Sequence, residues 1–179
     1  MLILTGASAS GKTVTALNLQ ERYGFSKAIT TTTRKMRDGE ENGKDYFFLS
    51  IKDFEEKLAK GGFVESSLYN GNYYGCGVDQ VSDNKVIVLD PNGVKSFQKL
   101  NDKNIVVVFL CCDSKVREKR MKGRGDLDEN IAKRLTNDKT SFSQEVINEL
   151  KCDLRLSTES KTIDEVADEI NTFYRSKVI

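Results

Sequence analysis

Lys12 and Thr13 close the run Gly6, Ala7, Ser8, Ala9, Ser10, Gly11, Lys12, Thr13, which fits the spacing G-x-x-x-x-G-K-[ST]. That spacing grips phosphate. Glycines let the backbone curl until successive N–H groups point inward, and a helix opening at the end of the run adds the positive end of its dipole. Lys12 then reaches the β and γ phosphates of a nucleotide, and the Thr13 hydroxyl ligates magnesium. Average residue usage produces such a match by accident in about one chain in a hundred, so the setting decides. Leu2, Ile3 and Leu4 before it read as a buried parallel strand, and Val14, Leu17 and Leu19 after it are apolar positions of an amphipathic helix.

The composition fits phosphoryl transfer. Histidine is absent, which excludes Ser-His-Asp and Cys-His catalysis and every zinc site that needs imidazole. Phosphoryl transfer relies on positioning, magnesium and cationic side chains, and needs none. With 28 basic against 27 acidic residues the net charge is +1, so nothing global points to nucleic acid or an anionic membrane. No apolar run approaches the ~20 residues that span a bilayer. Met1 leads straight into the first strand, so a cytoplasmic location is expected. Cys76, Cys111, Cys112 and Cys152 follow no C-x-x-C spacing and are expected to be reduced and buried.

The elements that must hold this chemistry follow from pattern. At 179 residues the chain is one domain with a real core. The helix after the loop is expected to run to about Arg22 and stop near Gly24. Ala28 to Thr33 is expected as a second core strand. Ser50 and Asp53 resemble a capping box for a helix ending at Gly61 and Gly62. Phe63 to Tyr69 and Asn72 to Tyr74 read as strands paired about an Asn70-Gly71 turn. Val86 to Leu89 is a strand ending in Asp90, with Pro91 at a helix start. Ile105 to Leu110, the most β-branched run, is expected at the sheet centre. Asp113 caps a helix ending in VREKRMKGRG, and a further helix covers much of 128–150 with a break near Ser141. Leu154 to Leu156 is a last strand, and Thr162 with Glu165 caps the terminal helix. Strand alternating with helix predicts an α/β fold: about five parallel strands with helices on both faces, and a β-rich lobe inserted near residues 30–81.

Inside that lobe, Arg34 and Arg37 flank a glycine-rich turn, and Tyr46, Tyr73 and Tyr74 fall in neighbouring strands. Guanidinium forks with phenolic hydroxyls suit a second phosphate, although exposed loop arginines are ordinarily just solvated. Residue order decides more. TTTRKMRDGEENGKDYFF and GFVESSLYNGNYYG, with GASASGKT, VIVLD followed by NGV, and KRMKGRG with IAKRL, closely resemble the guanylate kinase family across nearly the whole chain.

The resemblance implies roles. Arg34, Arg37, Tyr46 and Tyr74 are similar to the family's ligands for the monophosphate, and Glu65 to its guanine-reading carboxylate. Guanine offers N1–H and N2–H₂ donors side by side, which one carboxylate accepts together and adenine does not supply. Thr30 stands in the place of a family serine that meets O6 or N7. Arg120, Arg124 and Arg134 match arginines that clamp the phosphates and close as a lid, with Lys12, Arg34, Arg124 and Arg134 catalytic. Asp90 matches a carboxylate near the acceptor phosphate or, through water, magnesium, and it also suits a helix cap. The chain departs from the pattern in four places. Cys76, a weak donor toward guanine O6, replaces serine or threonine; Val88 replaces an aspartate; Ala7 and Ala9 replace proline or glycine; and the lid between Arg124 and Arg134 is one residue shorter.

The reaction implied is magnesium-ATP plus GMP or dGMP giving ADP plus GDP or dGDP, by a monomer or homodimer that binds small nucleotides and neither nucleic acid nor membrane. Core segments 1–30, 82–122 and 150–179 are expected to carry an acceptor lobe at 31–81 and a lid with its following helix at 123–149. Two alternatives share the motifs. One is a P-loop kinase with another acceptor, either a different nucleoside or deoxynucleoside monophosphate or ribose 1,5-bisphosphate, as Gly75 to Val78 and VLDPNG suggest. The other is a non-catalytic guanylate-kinase-like module that binds phosphopeptides.

Overall fold

The structure is a computed structural model that describes residues 1–69 and 71–178. Its main sheet has five strands in the order β2-β7-β1-β8-β9: Ser26–Lys27, Lys85–Val88, Leu2–Thr5, Val106–Cys111 and Leu154–Ser157. Every pairing within it is parallel. β1 is wholly buried because helices cover both faces. Alternation of side chains divides it between two cores. Leu2 and Leu4 pack with Val106, Val108, Leu19, Ile170 and Tyr174, while Ile3 faces Ile87, Val107, Val94 and Phe97 on the other side. The β-branched run at 105–110 is therefore interior, and the centre belongs to β1.

Helices begin and end where local chemistry directs. α1, Lys12–Tyr23, stops at Gly24, which takes φ 72° and donates its N–H to Leu19 O. α3, Pro91–Gln98, is capped by Asp90, whose carboxylate accepts the Gly93 N–H at 2.8 Å. α4 spans Ser114–Gly123 behind Asp113. Beyond it α5, Asp128–Ser141, and α6, Gln144–Glu149, are separated by the expected break. α7, Ile163–Val178, opens on a reciprocal Thr162 and Glu165 capping box.

The inserted sheet has four strands, ordered β4-β3-β6-β5: Phe47–Phe48, Thr31–Thr32, Asn72–Gly77 and Phe63–Tyr69. Here the sequence expectation is corrected. The threonine run belongs to this lobe, since Thr31 and Thr32 pair with Gly75 and Tyr74 on one side and Phe47 and Phe48 on the other. The core's outer strand is instead exposed Ser26–Lys27, an edge with no apolar pattern to announce it. Chain pairing passes from core to lobe within three residues: Ala28 donates to Val86 O, and Thr30 accepts from Phe47 N–H. Phe54 of α2, Ile51–Ala59, anchors the lobe, stacked 4.3 Å from Phe63 and 5.2 Å from Tyr73. Asn70 of the expected turn lies outside the described residues. All four cysteines are free; Cys76 is buried and the others half-buried. No helix among the described residues is long and apolar enough to cross a membrane.

Candidate active site

β1 delivers the chain into the phosphate loop at the carboxyl edge of the sheet, where open α/β sheets bind ligands. Gly6 has to be glycine: its φ is 145°, and a Cβ there would lie 2.5 Å from the Leu110 carbonyl oxygen. Ala9 takes φ 60° without being glycine, a left-handed conformation that costs ~1–2 kcal/mol. Lys12 Nζ folds back onto the loop and donates to the Gly6 and Ala7 carbonyls, each at 2.7 Å. Burial pulls its pKa down to about 8, with the Asp138 carboxylate opposing that shift and the Arg117 guanidinium adding to it. Val14, Thr13, Lys12, Gly11 and Ala9 line a cleft of about 330 Å³, closed by Arg120, Arg124, Thr158 and Ile163 among others. Arg120 is pinned there, donating to Ala9 O at 3.3 Å, Thr158 Oγ1 at 3.1 Å and Thr158 O at 2.5 Å. Arg124 is fixed by both oxygens of Asp126, at 2.8 and 2.6 Å, and its guanidinium holds that carboxyl below its ordinary range.

A second cleft of about 380 Å³ gathers Thr30, Tyr46, Glu65, Tyr74 and Asp90, with Val88 and Gly93 among its walls. β7 runs beside β1 with Leu4 opposite Val88, so Asp90 and Gly6 each leave their strand two residues beyond that pair and the clefts share one sheet edge. Glu65 Oε1 accepts the Cys76 N–H at 2.8 Å. Burial raises the Glu65 pKa, the Cys76 amide opposes the shift, and Asp90 adds to it. Tyr46 and Tyr74 meet edge to face at 6.2 Å, and the Arg34 guanidinium lies 5.6 Å from the Tyr46 ring. Arg34 is paired with Glu40 at 2.6 Å, and the same carboxylate accepts the Arg37 N–H at 2.8 Å.

Three residues expected at the second cleft, Cys76, Arg34 and Arg37, are not among those that line it, although Arg34 borders it over the Tyr46 ring. Cys76 is fully buried in the core beside Ile3 and Ile87; its thiol faces Gly77 O at 3.8 Å, and burial pushes its pKa up to about 12. Its amide serves the site by holding Glu65, and its side chain points away. Arg37 sits exposed on the turn outside the cleft lining, and Arg134 is exposed on α5 outside the donor cleft. Sequence reasoning missed Thr158 and Ile163, which local pattern gives no means of assigning. It also missed Arg117 and Asp138, for which a signal existed. Asp138 falls seven residues after buried Ile131 and Arg117 four before buried Met121, so both are charges in an apolar helical register.

A family model described as guanylate kinase matches residues 1–175. The chain belongs to the guanylate kinase family. Among curated guanylate kinases, that of Trichormus variabilis is 36% identical over 143 residues, 75% of this chain and 72% of the relative. That of Fusobacterium nucleatum is 34% identical over 145 residues, 76% of this chain and 78% of the relative. The crystal structure of guanylate kinase from Anaplasma phagocytophilum superposes with a TM-score of 0.70 at 25% identity, covering 100% of this chain and 86% of that one. The guanylate kinase fold thus accounts for the five-stranded parallel sheet with helices on both sides.

Proposed function

We infer that the chain is an ATP-dependent guanylate kinase, a nucleoside monophosphate kinase that phosphorylates GMP, with dGMP as the deoxy acceptor. The observation that carries the reading is the single sheet edge at which a phosphate loop and a cleft holding Glu65, Thr30, Tyr46, Tyr74 and Asp90 lie at the ends of adjacent strands. Residues 6–14 with Arg120 and Arg124 hold the triphosphate, and the apolar wall of Val14 and Ile163 takes the base. Glu65 reads guanine through the carboxylate oxygen not engaged by Cys76, beside the Thr30 hydroxyl. Arg34, with the two tyrosines, takes the monophosphate by exchanging Glu40 for it, and Arg37 joins them when the turn that carries it closes on the cleft.

Magnesium accepts oxygen ligands and keeps several waters, so the Thr13 hydroxyl and, through water, the Asp90 carboxylate suit it. When bound, it supplies neutralisation of the triphosphate charge. Lys12 and Arg124 balance charge on the moving phosphoryl group, and Arg134 joins them when the segment at 123–149 closes over the core. Arg124 must give up Asp126 to do so. The lobe at 31–81 brings the acceptor phosphate in line, so the reaction proceeds by positioning and electrostatics with no covalent enzyme intermediate. A coupled assay of ADP release across the common nucleoside monophosphates tests the reading. Turnover with GMP well above AMP, CMP and UMP is expected, and no turnover with any acceptor would overturn it.

A further inference from the structure

Ser8, in the middle of the phosphate loop, is held by a charged pair that no assigned role uses. Asp138 and Arg117 are each 8% exposed and bonded to one another at 2.5 Å. Asp138 Oδ2 accepts the Ser8 N–H at 3.0 Å, and its Oδ1 accepts the Ser8 hydroxyl at 3.1 Å. Arg117 Nη1 donates to Ser8 O at 3.3 Å, and its Nε donates to Cys112 O at 3.1 Å. The pair therefore holds the amide, carbonyl and side chain of one loop residue, across 130 positions of sequence in the case of Asp138.

Placement gives the grip its meaning. Asp138 lies one helical turn beyond Arg134 on α5, and Arg117 lies one turn before Arg120 on α4. Arg120 itself reaches Ala9 O, the next loop carbonyl. The helices flanking the lid segment thus converge on two consecutive residues of the phosphate loop. A buried pair whose carboxylate is bonded at both oxygens and whose guanidinium is held at Nε and Nη1 has a well-defined arrangement, so displacing α5 displaces Ser8.

We propose that Asp138, paired with Arg117, is a positioning residue that fixes the phosphate loop through Ser8 and couples its shape to the helix carrying Arg134. This rests on the donor-site reading above. Replacement of one partner leaves a buried charge alone, so Asp138→Asn is accompanied by Arg117→Gln/Asp138→Asn, which removes both charges and keeps hydrogen-bonding groups, and by the milder Ser8→Ala.

The test is ADP affinity by calorimetry without magnesium, together with steady-state kinetics. Asp138→Asn is expected to weaken ADP binding about tenfold, the usual scale for losing a charge-assisted hydrogen bond, with KM for GMP unchanged. The double variant recovers part of that loss. Ser8→Ala alone weakens ADP binding, and adds little on top of Asp138→Asn because both remove the same contact. The effect of Asp138→Asn on kcat shrinks in an Arg134→Ala background. If folded variants bind ADP as the parent does and lose only thermal stability, or if the Asp138 and Arg134 effects simply multiply, the coupling is wrong while the donor site stands. If the parent itself binds no ADP, the donor-site reading fails instead.

Discussion

Glu65→Gln tests the proposal that this carboxylate reads the acceptor base. The glutamate spends one oxygen on the Cys76 amide at 2.8 Å and leaves the other for guanine. Glutamine can keep the bond to Cys76 through its carbonyl, and it then turns an NH₂ toward the N1–H and N2–H₂ donors of the base. At least one charge-assisted hydrogen bond is lost, worth about 1.5–3 kcal/mol, and donor opposes donor. At about 1.4 kcal/mol per decade, kcat/KM for GMP falls about 10- to 150-fold. Folding should not suffer, because burial already disfavours the ionised carboxylate. The assay couples ADP release to NADH oxidation by pyruvate kinase and lactate dehydrogenase, varying GMP at saturating magnesium-ATP, with KM for ATP as the internal control. A kcat/KM for GMP within twofold of the parent would refute the argument. The pH profile supplies a second arm. Only the ionised carboxylate accepts both guanine donors, and burial raises its pKa above 4.5. As pH falls through that raised value kcat/KM for GMP drops, and this limb should disappear in Glu65→Gln.

Lys12→Ala should lower kcat by at least about 10²–10³-fold, the scale for removing one preorganised charge partner, while circular dichroism shows an intact fold; retained turnover would mean that the loop does not hold the donor. Cys76→Ser places a hydroxyl in a fully buried apolar setting, so a loss of about 1–3 kcal/mol is expected, seen as a lower denaturation midpoint with GMP kinetics unchanged. Improved GMP capture would show that the side chain reaches the base after all. Phe54→Ala removes the ring stacked between Phe63 and Tyr73. About 3–5 kcal/mol should be lost, with KM for GMP rising more than KM for ATP in folded protein. Equal changes in both would show that the lobe does not act separately from the core.

Legibility followed distance along the chain. The strand and phosphate loop from Leu2 to Thr13 are twelve consecutive residues whose types and order carry the pattern, so spacing alone located them. The caps at Asp90 and Thr162, the stop at Gly24 and the break after Ser141 are equally local. Glu65, Tyr46 and Tyr74 were found only by their order in the chain, since nothing local in a carboxylate or a phenol announces a base or a phosphate.

Tertiary structure decided what depends on partners far away. Thr31 and Thr32 join the inserted sheet because Tyr74 and Gly75, more than forty residues on, offer them a free edge, while polar Ser26 and Lys27 complete the core. β-propensity says that a run can be a strand, and leaves open which sheet. A register shift between Phe63 and Glu65 in the β5–β6 pairing sets Glu65 opposite Cys76. Arg117 and Asp138 stand in the apolar register of two polar helices, and packing at the loop is what pairs them. The sequence by itself located the phosphate loop, because its glycines, Lys12 and Thr13 are neighbours in the chain. The acceptor cleft and the grip on Ser8 came only with the fold, because their members are separated in sequence and packing alone brings them within hydrogen-bond reach.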